Sequence, residues 1–332
     1  QSWSQAVDIM EGETSYSSSS VFRKHKTYEN RHPRNSRSGI RQFNDDGTFN
    51  VAIADGFIPS FEVRDDGYAN PSLGWEEQSE ITLYDVHSHA LEVKDINENY
   101  ASTKYDKNNA RVLSTAANAR YKDYVYSGFE NEDFYQGRGL IEGGIYLDNG
   151  FINDRDYRSH TGRKSIGIDE TGGTVFRYTV DREAGSPNRY TASVWQRQND
   201  GGDTGYFTVS GGGANIISSK LIGNSGVWEL WEAQIYISHP SDDFTIFCKT
   251  DPMSDNDVRT YFDDFRIRPV DATMTSYVYN EWGELSDILD ANNLFTHYEY
   301  DAMGRLQSVT RETLSDGPIK VSETIIHYAN DN

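Results

Sequence analysis

Two histidines with one residue between them, His87 and His89, are the first side chains in the chain whose spacing could do metal chemistry. On an extended strand they share a face, and both could turn an imidazole nitrogen to one ion. No third His, Cys or acid stands at a recognisable spacing, so no metal is expected there. Carboxylates pair at Asp45-Asp46 and Asp65-Asp66, but each pair precedes a Gly between β-prone runs, where such side chains cap local amides and form turns. Acids are also too numerous, 52 against 31 Lys and Arg, for any one pair to mark a glycosidase dyad. There is no G-x-S-x-G, no H-E-x-x-H and no Gly-rich loop opening a helix. No catalytic residues are assigned, and the chain is not expected to be an enzyme.

Aromatic residues offer a second chemistry. Along the run from Tyr190 to Arg197, alternation puts Tyr190, Ala192 and Val194 on a core face and sends Thr191, Ser193 and Trp195 to the other. Flanked by Gln196, Arg197 and Gln198, an outward Trp195 suits stacking on a pyranose ring. Further on, Val227, Trp231, Ile235 and Ile237 read as core, which leaves Trp228 and Tyr236 opposite. Trp195, Arg197, Trp228 and Tyr236 are therefore the candidate ligand-binding residues, with a glycan as the ligand. The commoner use of such a face is packing under a neighbouring strand or domain, and for Trp195 that outcome is the one expected.

The elements that must carry these side chains are strands. Aromatics make up 13% of the 332 residues, with 22 Tyr against 4 Met, and runs of good helix formers are scarce. The composition implies an all-β chain. Its net charge of −21 would repel a polyphosphate, so nucleic acid is excluded as a main ligand. The longest apolar runs fall far short of the ~20 residues that cross a bilayer. Cys248 is the single cysteine, which forbids an intrachain disulfide. With Gln1 first, the chain reads as a processed or excised piece of something longer.

A repeat organises the sequence. Tyr279-Asn280, Asp290, Phe295 and Tyr300-Asp301 recur upstream, 195 residues earlier, as Tyr84-Asp85, Asp95, Tyr100 and Tyr105-Asp106. Gly283 and Gly304 supply positive φ in the downstream copy, whereas Ser88 and Asn109 stand there upstream. The string YDAMGRL, Tyr300 to Leu306, resembles the core of the RHS repeat, also called the YD repeat. That family implies β-hairpin ribbons that spiral into hollow shells in large secreted or cell-surface proteins. The resemblance covers roughly residues 79 to 115 and 275 to 328.

Between the copies, turn signals at Asn149-Gly150, Gly172-Gly173, Gly211-Gly212-Gly213 and Gly223 to Gly226 separate longer strands, as in a β-sandwich. GFEN at 128–131, SHTGRKSIGI at 159–168 and YFDDFRI at 261–267 resemble, in order and spacing, the jelly-roll carbohydrate-binding-module family. In that family the matching acids, here Glu130 and Asp263, commonly help bind a structural calcium, with backbone carbonyls near Arg163 and Lys164 completing the shell. Alternation places Asp263 with Phe265 and Ile267 toward the inner layer, where an unpaired carboxylate is costly and calcium would offset that cost. The competing reading satisfies Asp263 with backbone amides or an Arg.

The expected architecture is a linker or strap at 1–38, a small β region at 39–78, a YD-like repeat at 79–119, an inserted jelly roll at 120–270 and further YD-like repeats at 271–332. The basic cluster from Arg23 to Arg41 reads as a solvated strap with intramolecular charge pairing. The expected function is a non-enzymatic structural or adhesive segment of a large extracellular or cell-surface bacterial protein, in a secretion- or gliding-linked assembly whose other segments or subunits are its partners. The alternative is a carbohydrate-binding module of a glycan-capturing or polysaccharide-degrading system. A weaker alternative is the wall of a toxin-encapsulating shell.

Overall fold

The computed structural model describes residues 2–6, 21–30, 75–106, 108, 110–130, 139–154, 158–169, 171–198, 204–239, 241–252 and 259–324. Asp45-Asp46, Asp65-Asp66, Asn109 and most of 39–78 lie outside them. Among the described residues the chain is all β, built of antiparallel sheets, with one short 3-10 turn at Glu142–Gly144 and no α-helix. Among the described residues no helix is long and apolar enough to cross a membrane. The chain divides into two compact units, 1–100 and 101–332.

The first unit holds β1 (Ser2–Ala6), β2 (Val21–Asn30), β3 (Trp75–Tyr84) and β4 (Ala90–Asp95), paired in that order. Two strands thus lie within the 1–38 segment expected to be a linker or strap. Charge rather than hydrophobic alternation links the middle of β2 to β3. Lys26 of β2 pairs opposite Glu80 of β3 and is only 4% exposed; its Nζ bonds Glu77 at 2.8 Å and lies 3.7 Å from Glu80. Lys94 of β4 reaches Glu80 at 3.0 Å from the other side. A search for apolar periodicity passes over such a strand.

The second unit contains a hairpin sheet and a sandwich. Its hairpin strands are β5 (Tyr100–Tyr105) and β6 (Val112–Ala117). The sandwich follows, with β7 (Val125–Ser127), β8 (Gly139–Leu140), β9 (Tyr146–Leu147), β10 (Phe151–Asp154), β11 (Lys164–Ile168) and β12 (Gly173–Val180). It continues through β13 (Arg189–Gln198), β14 (Tyr206–Gly211), β15 (Ala214–Ser225), β16 (Trp228–Ile237), β17 (Phe244–Thr250) and β18 (Thr260–Pro269). The chain then returns to the hairpin sheet as β19 (Thr273–Tyr279), β20 (Leu285–Leu289), β21 (Phe295–Tyr300), β22 (Leu306–Arg311) and β23 (Ile319–Glu323). Strand β19 pairs directly with β6, Thr273 opposite Ala117, so the hairpin sheet closes across the whole intervening sandwich.

One sandwich sheet runs β10-β11-β18-β13-β16-β15, with β7 also on β18; the other runs β14-β17-β12-β9-β8. Their facing side chains share one core, in which Ile166, Val194, Ile235, Phe265 and Ile267 of the first sheet meet Phe176, Phe207, Phe244 and Ile246 of the second.

The hairpin turns show why the repeat spells Tyr-Asp. In the three turns between β19 and β22 one Oδ1 accepts two backbone N–H groups: Asn280 from Trp282 and Glu284 at 3.0 and 2.9 Å, Asp290 from Asn292 and Leu294 at 2.8 and 3.1 Å, Asp301 from Met303 and Arg305 at 2.8 and 3.0 Å. Three residues after each acid or amide the backbone turns left-handed, at Gly283, Asn293 and Gly304, where Gly and Asn carry the smallest penalty. The tyrosine acts across the sheet. Tyr279 donates its hydroxyl to the Val112 carbonyl at 3.0 Å and Tyr300 to that of Leu285 at 2.8 Å, each on the neighbouring strand. A register shift precedes both tyrosines, and the hydroxyl bond pins the strand where the ladder slips. In the first unit Asp85 caps His87 and His89 in the same way, and Tyr84 donates to the Lys24 carbonyl.

Candidate functional site

Asp263 and Asp264 lie mid-strand in β18 with no exposure at all. Asp264 is left-handed, with φ +48°, and the β13–β18 register shifts between Ser193 and Trp195. This bulge breaks the alternation from which the sequence placed Asp263 on the Phe265 face: Phe262 and Phe265 both reach the sandwich core, and the two acids turn instead to the 158–164 loop. Asp263 accepts backbone N–H bonds from His160 at 2.7 Å, Thr161 at 3.3 Å and Asp264 at 2.7 Å. Glu130 Oε1 accepts from the amides of Arg163 and Lys164, both at 2.6 Å. These are the two residues expected to hold calcium, and the loop between them is the one expected to complete the shell. Among the described residues no three His, Cys, Asp or Glu side chains gather as a ligand set, so an ion here would rely on backbone carbonyls. Carboxylate oxygens are the hard donors calcium prefers, and those of Asp263 and Oε1 of Glu130 already accept backbone N–H bonds. Burial first, then the charges of Asp264 and Glu130, push the Asp263 carboxyl well above its usual range. Backbone amides therefore satisfy its lone pairs without matching its charge.

Beside these acids stands a residue that sequence reasoning missed. His160 donates through Nδ1 to Asp264 at 2.7 Å and through Nε2 to Glu312 at 2.8 Å, and all three side chains are at most 2% exposed. Two carboxylate partners require both ring nitrogens to carry protons. Burial alone would lower its pKa, but the charges and hydrogen bonds of Glu312 and Asp264 prevail and raise it to about 9. The imidazolium stacks on Trp195, ring centroids 4.1 Å apart, with Trp228 and Phe295 edge-on at 5.6 and 5.3 Å.

That geometry settles what the Trp195 face does. Trp195 is fully buried, with its indole N–H donated to the Asn293 carbonyl at 2.8 Å in the β20–β21 turn. Asn293 in turn donates to the Asp264 carbonyl at 3.0 Å, and Arg266 donates to the carbonyls of Leu289 and Asp290. Trp195, Trp228, Leu230 and Tyr261 form a second apolar cluster, against which Leu294 and Leu314 of the hairpin segment pack. The face read as a stacking platform is the seat of the hairpin sheet, which is the competing use of that face.

Trp228, 6% exposed, is corrected in the same way. Tyr236 is 39% exposed, but it pairs opposite Arg189 while Trp195 pairs opposite Leu230, a six-residue offset. At ~3.3 Å per residue that separates them by about 20 Å, so the four aromatic and polar candidates do not converge. Arg197 is half-buried, with Tyr261 opposite it on β18. Val227 is not core but an exposed turn residue. His87 and His89 lie in the β3–β4 turn rather than on a strand, and His89 Nδ1 bonds Asp85 at 2.7 Å.

The RHS repeat family matches residues 279–318, the segment that carries the Asx-capped turns and supplies Glu312. No curated protein matches the chain.

Proposed function

We propose that this chain is a non-enzymatic structural or adhesive segment of a large secreted or cell-surface bacterial RHS-repeat protein, in which a jelly-roll domain at about 120–270 is inserted into the hairpin sheet and braces it. The observation that carries this reading is the buried seam of His160, Trp195, Asn293 and Glu312, which uses the sandwich's broad face to hold the hairpins. A carbohydrate-binding module working through Trp195 would need that face open, so the seam weighs against the alternative. The toxin-shell reading draws no support from any particular residue. Calcium at Glu130 and Asp263 belongs to the proposal as a structural ion. Asp264 and Glu312 share the one imidazolium of His160, whereas buried Asp263 is held by backbone N–H groups, and a divalent cation would supply the charge that these amides do not.

An antibody raised against residues 101–332 tests the location. It should label intact cells of the source organism and lose its target when protease is added outside. Labelling that appears only after permeabilisation would overturn the surface reading.

A further inference from the structure

The hairpin sheet of the second unit has two faces, and only one of them is turned to the sandwich. Residues opposite one another in an antiparallel ladder share a face, and alternation along each strand separates the two. On the sandwich side Met274, Val278 and Leu289 pack with Tyr124 and Tyr126, and Phe295 joins them. The acids of these strands lie on that side too. Asp287 pairs opposite Val278, His297 opposite Asp287, and Glu299 follows His297 at the next position of the same face.

The outer face is the reverse. Thr275 pairs there opposite Thr115, Tyr277 opposite Ile288, and Tyr300 opposite Leu306, and none of these side chains is buried. Among the described strand residues of this face, from β5 to β23, there is no acid, in a chain that holds 52, and Arg311 is the one charged side chain. The hydroxyls of Tyr279 and Tyr300 are already donated to the Val112 and Leu285 carbonyls of neighbouring strands, which lays both rings along the sheet. What results is a flat and nearly uncharged surface.

A second copy of the chain fits such a surface. A flat apolar face is complementary to itself about a two-fold axis, and two sheets stack with strands about 30° apart and their side chains interdigitated. Over the rest of the molecule the net charge of −21 keeps copies apart, whereas here no carboxylate faces its twin. The face spans β5, β6 and β19 to β23. With strands ~4.8 Å apart and about five residues long at ~3.3 Å each, it covers roughly 550 Å². Two copies would then bury about 1,100 Å², the low end of specific interfaces, which makes the contact weak and dependent on concentration.

We propose that two copies of this chain stack the outer faces of their hairpin sheets about a two-fold axis to form a weak homodimer. The proposal rests on the structural form of the reading above and names a partner for it.

Sedimentation equilibrium of the intact chain, from about 1 to about 300 µM, brackets the affinity that such an area supports. A monomer–dimer equilibrium should appear. It should tighten as salt is raised from about 0.05 to about 1 M, because screening relieves the repulsion between the chains. Thr275→Glu and Leu306→Glu each put a carboxylate on the face that the dimer desolvates, and each should weaken association by about tenfold or more. Leu140→Glu, at a 72% exposed position of the sandwich, should leave it unchanged. Both face variants should melt close to the wild type, since neither side chain is buried in the monomer, and if one fails to fold the other decides. A chain that stays monomeric throughout, assembly beyond the dimer, or a dimer that salt weakens would overturn the proposal. So would a dimer that the face variants leave intact or that Leu140→Glu abolishes. None of those results touches the seam at Trp195 or the surface location, which are read by melting and by labelling.

Discussion

His160 and Glu312 are 152 residues apart in sequence and 2.8 Å apart in the fold, and neither side chain is more than 2% exposed. Through this contact the loop before β11 of the sandwich is tied to the start of the β22–β23 connection, one strand beyond the last Tyr-Asp turn. The tie is ionic, so it should respond to pH. In the unfolded chain His160 titrates near ~6.5, and in the fold it holds its proton up to about 9. A raised histidine pKa contributes stability that is complete below the unfolded value and is lost as pH rises through the folded one. The fold should therefore lose on the order of 3 kcal/mol between about pH 6.5 and pH 9 through this one group. Urea melts of wild type and His160→Gln across that window measure the difference. Parallel curves for the two would show that His160 is not the titrating group.

Trp195 provides a second test of the same seam. A buried indole removed from a packed site costs about 3 to 5 kcal/mol, and that is the loss expected for Trp195→Ala. Trp195→Phe keeps a ring against His160 but gives up the bond to the Asn293 carbonyl, and should cost less. If Trp195→Ala melts like wild type, the hairpin sheet does not sit on this face in solution.

How much of this was legible in the sequence depends on the residue. The strand pattern, the turns at Gly283 and Gly304 and the Tyr-Asp repeat could be read because each is local: an Asx side chain caps amides two and four residues ahead, and a glycine relieves positive φ at a fixed offset. The seam could not. Parity inside β18 fails at the Asp264 bulge, which alternation cannot foresee. His160 was visible within SHTGRK, but nothing near it announces partners 104 and 152 residues away. Strand β2 was missed because its pairing is ionic, with Lys26 buried against Glu77 and Glu80, while the periodicity sought was apolar.

The tyrosine of the repeat has a testable share in register. Tyr300→Phe removes only the hydroxyl that reaches the Leu285 carbonyl, so it should cost about 1 kcal/mol, the usual net worth of one such bond. Asp290→Ala should cost more, since it frees the amides of Asn292 and Leu294 in the turn that seats Asn293 on Trp195. Hydrogen exchange should place the faster amides of Asp290→Ala in residues 290–295. Faster exchange confined to the sandwich core would contradict that assignment.

Calcium is the last test, and pH makes it sharper. Without an ion the unfolded chain releases the Asp263 proton near pH ~3.9, whereas burial and the neighbouring charges of Asp264 and Glu130 make the folded chain keep it to a higher pH. The native state then binds more protons than the unfolded one, so stability falls as pH rises above the ordinary carboxylate value toward the folded one. A bound cation reverses that penalty by favouring the ionised form. Added calcium should therefore raise the melting temperature at neutral pH and have little effect near pH 4, and excess chelator should undo the gain. A ligand present at a hundred times its dissociation constant stabilises the native state by about 2.7 kcal/mol. Asp263→Ala should melt independently of calcium at either pH. A wild-type chain freed of metal whose melting ignores calcium at neutral pH would show that the amides of His160, Thr161 and Asp264 are all that Asp263 holds.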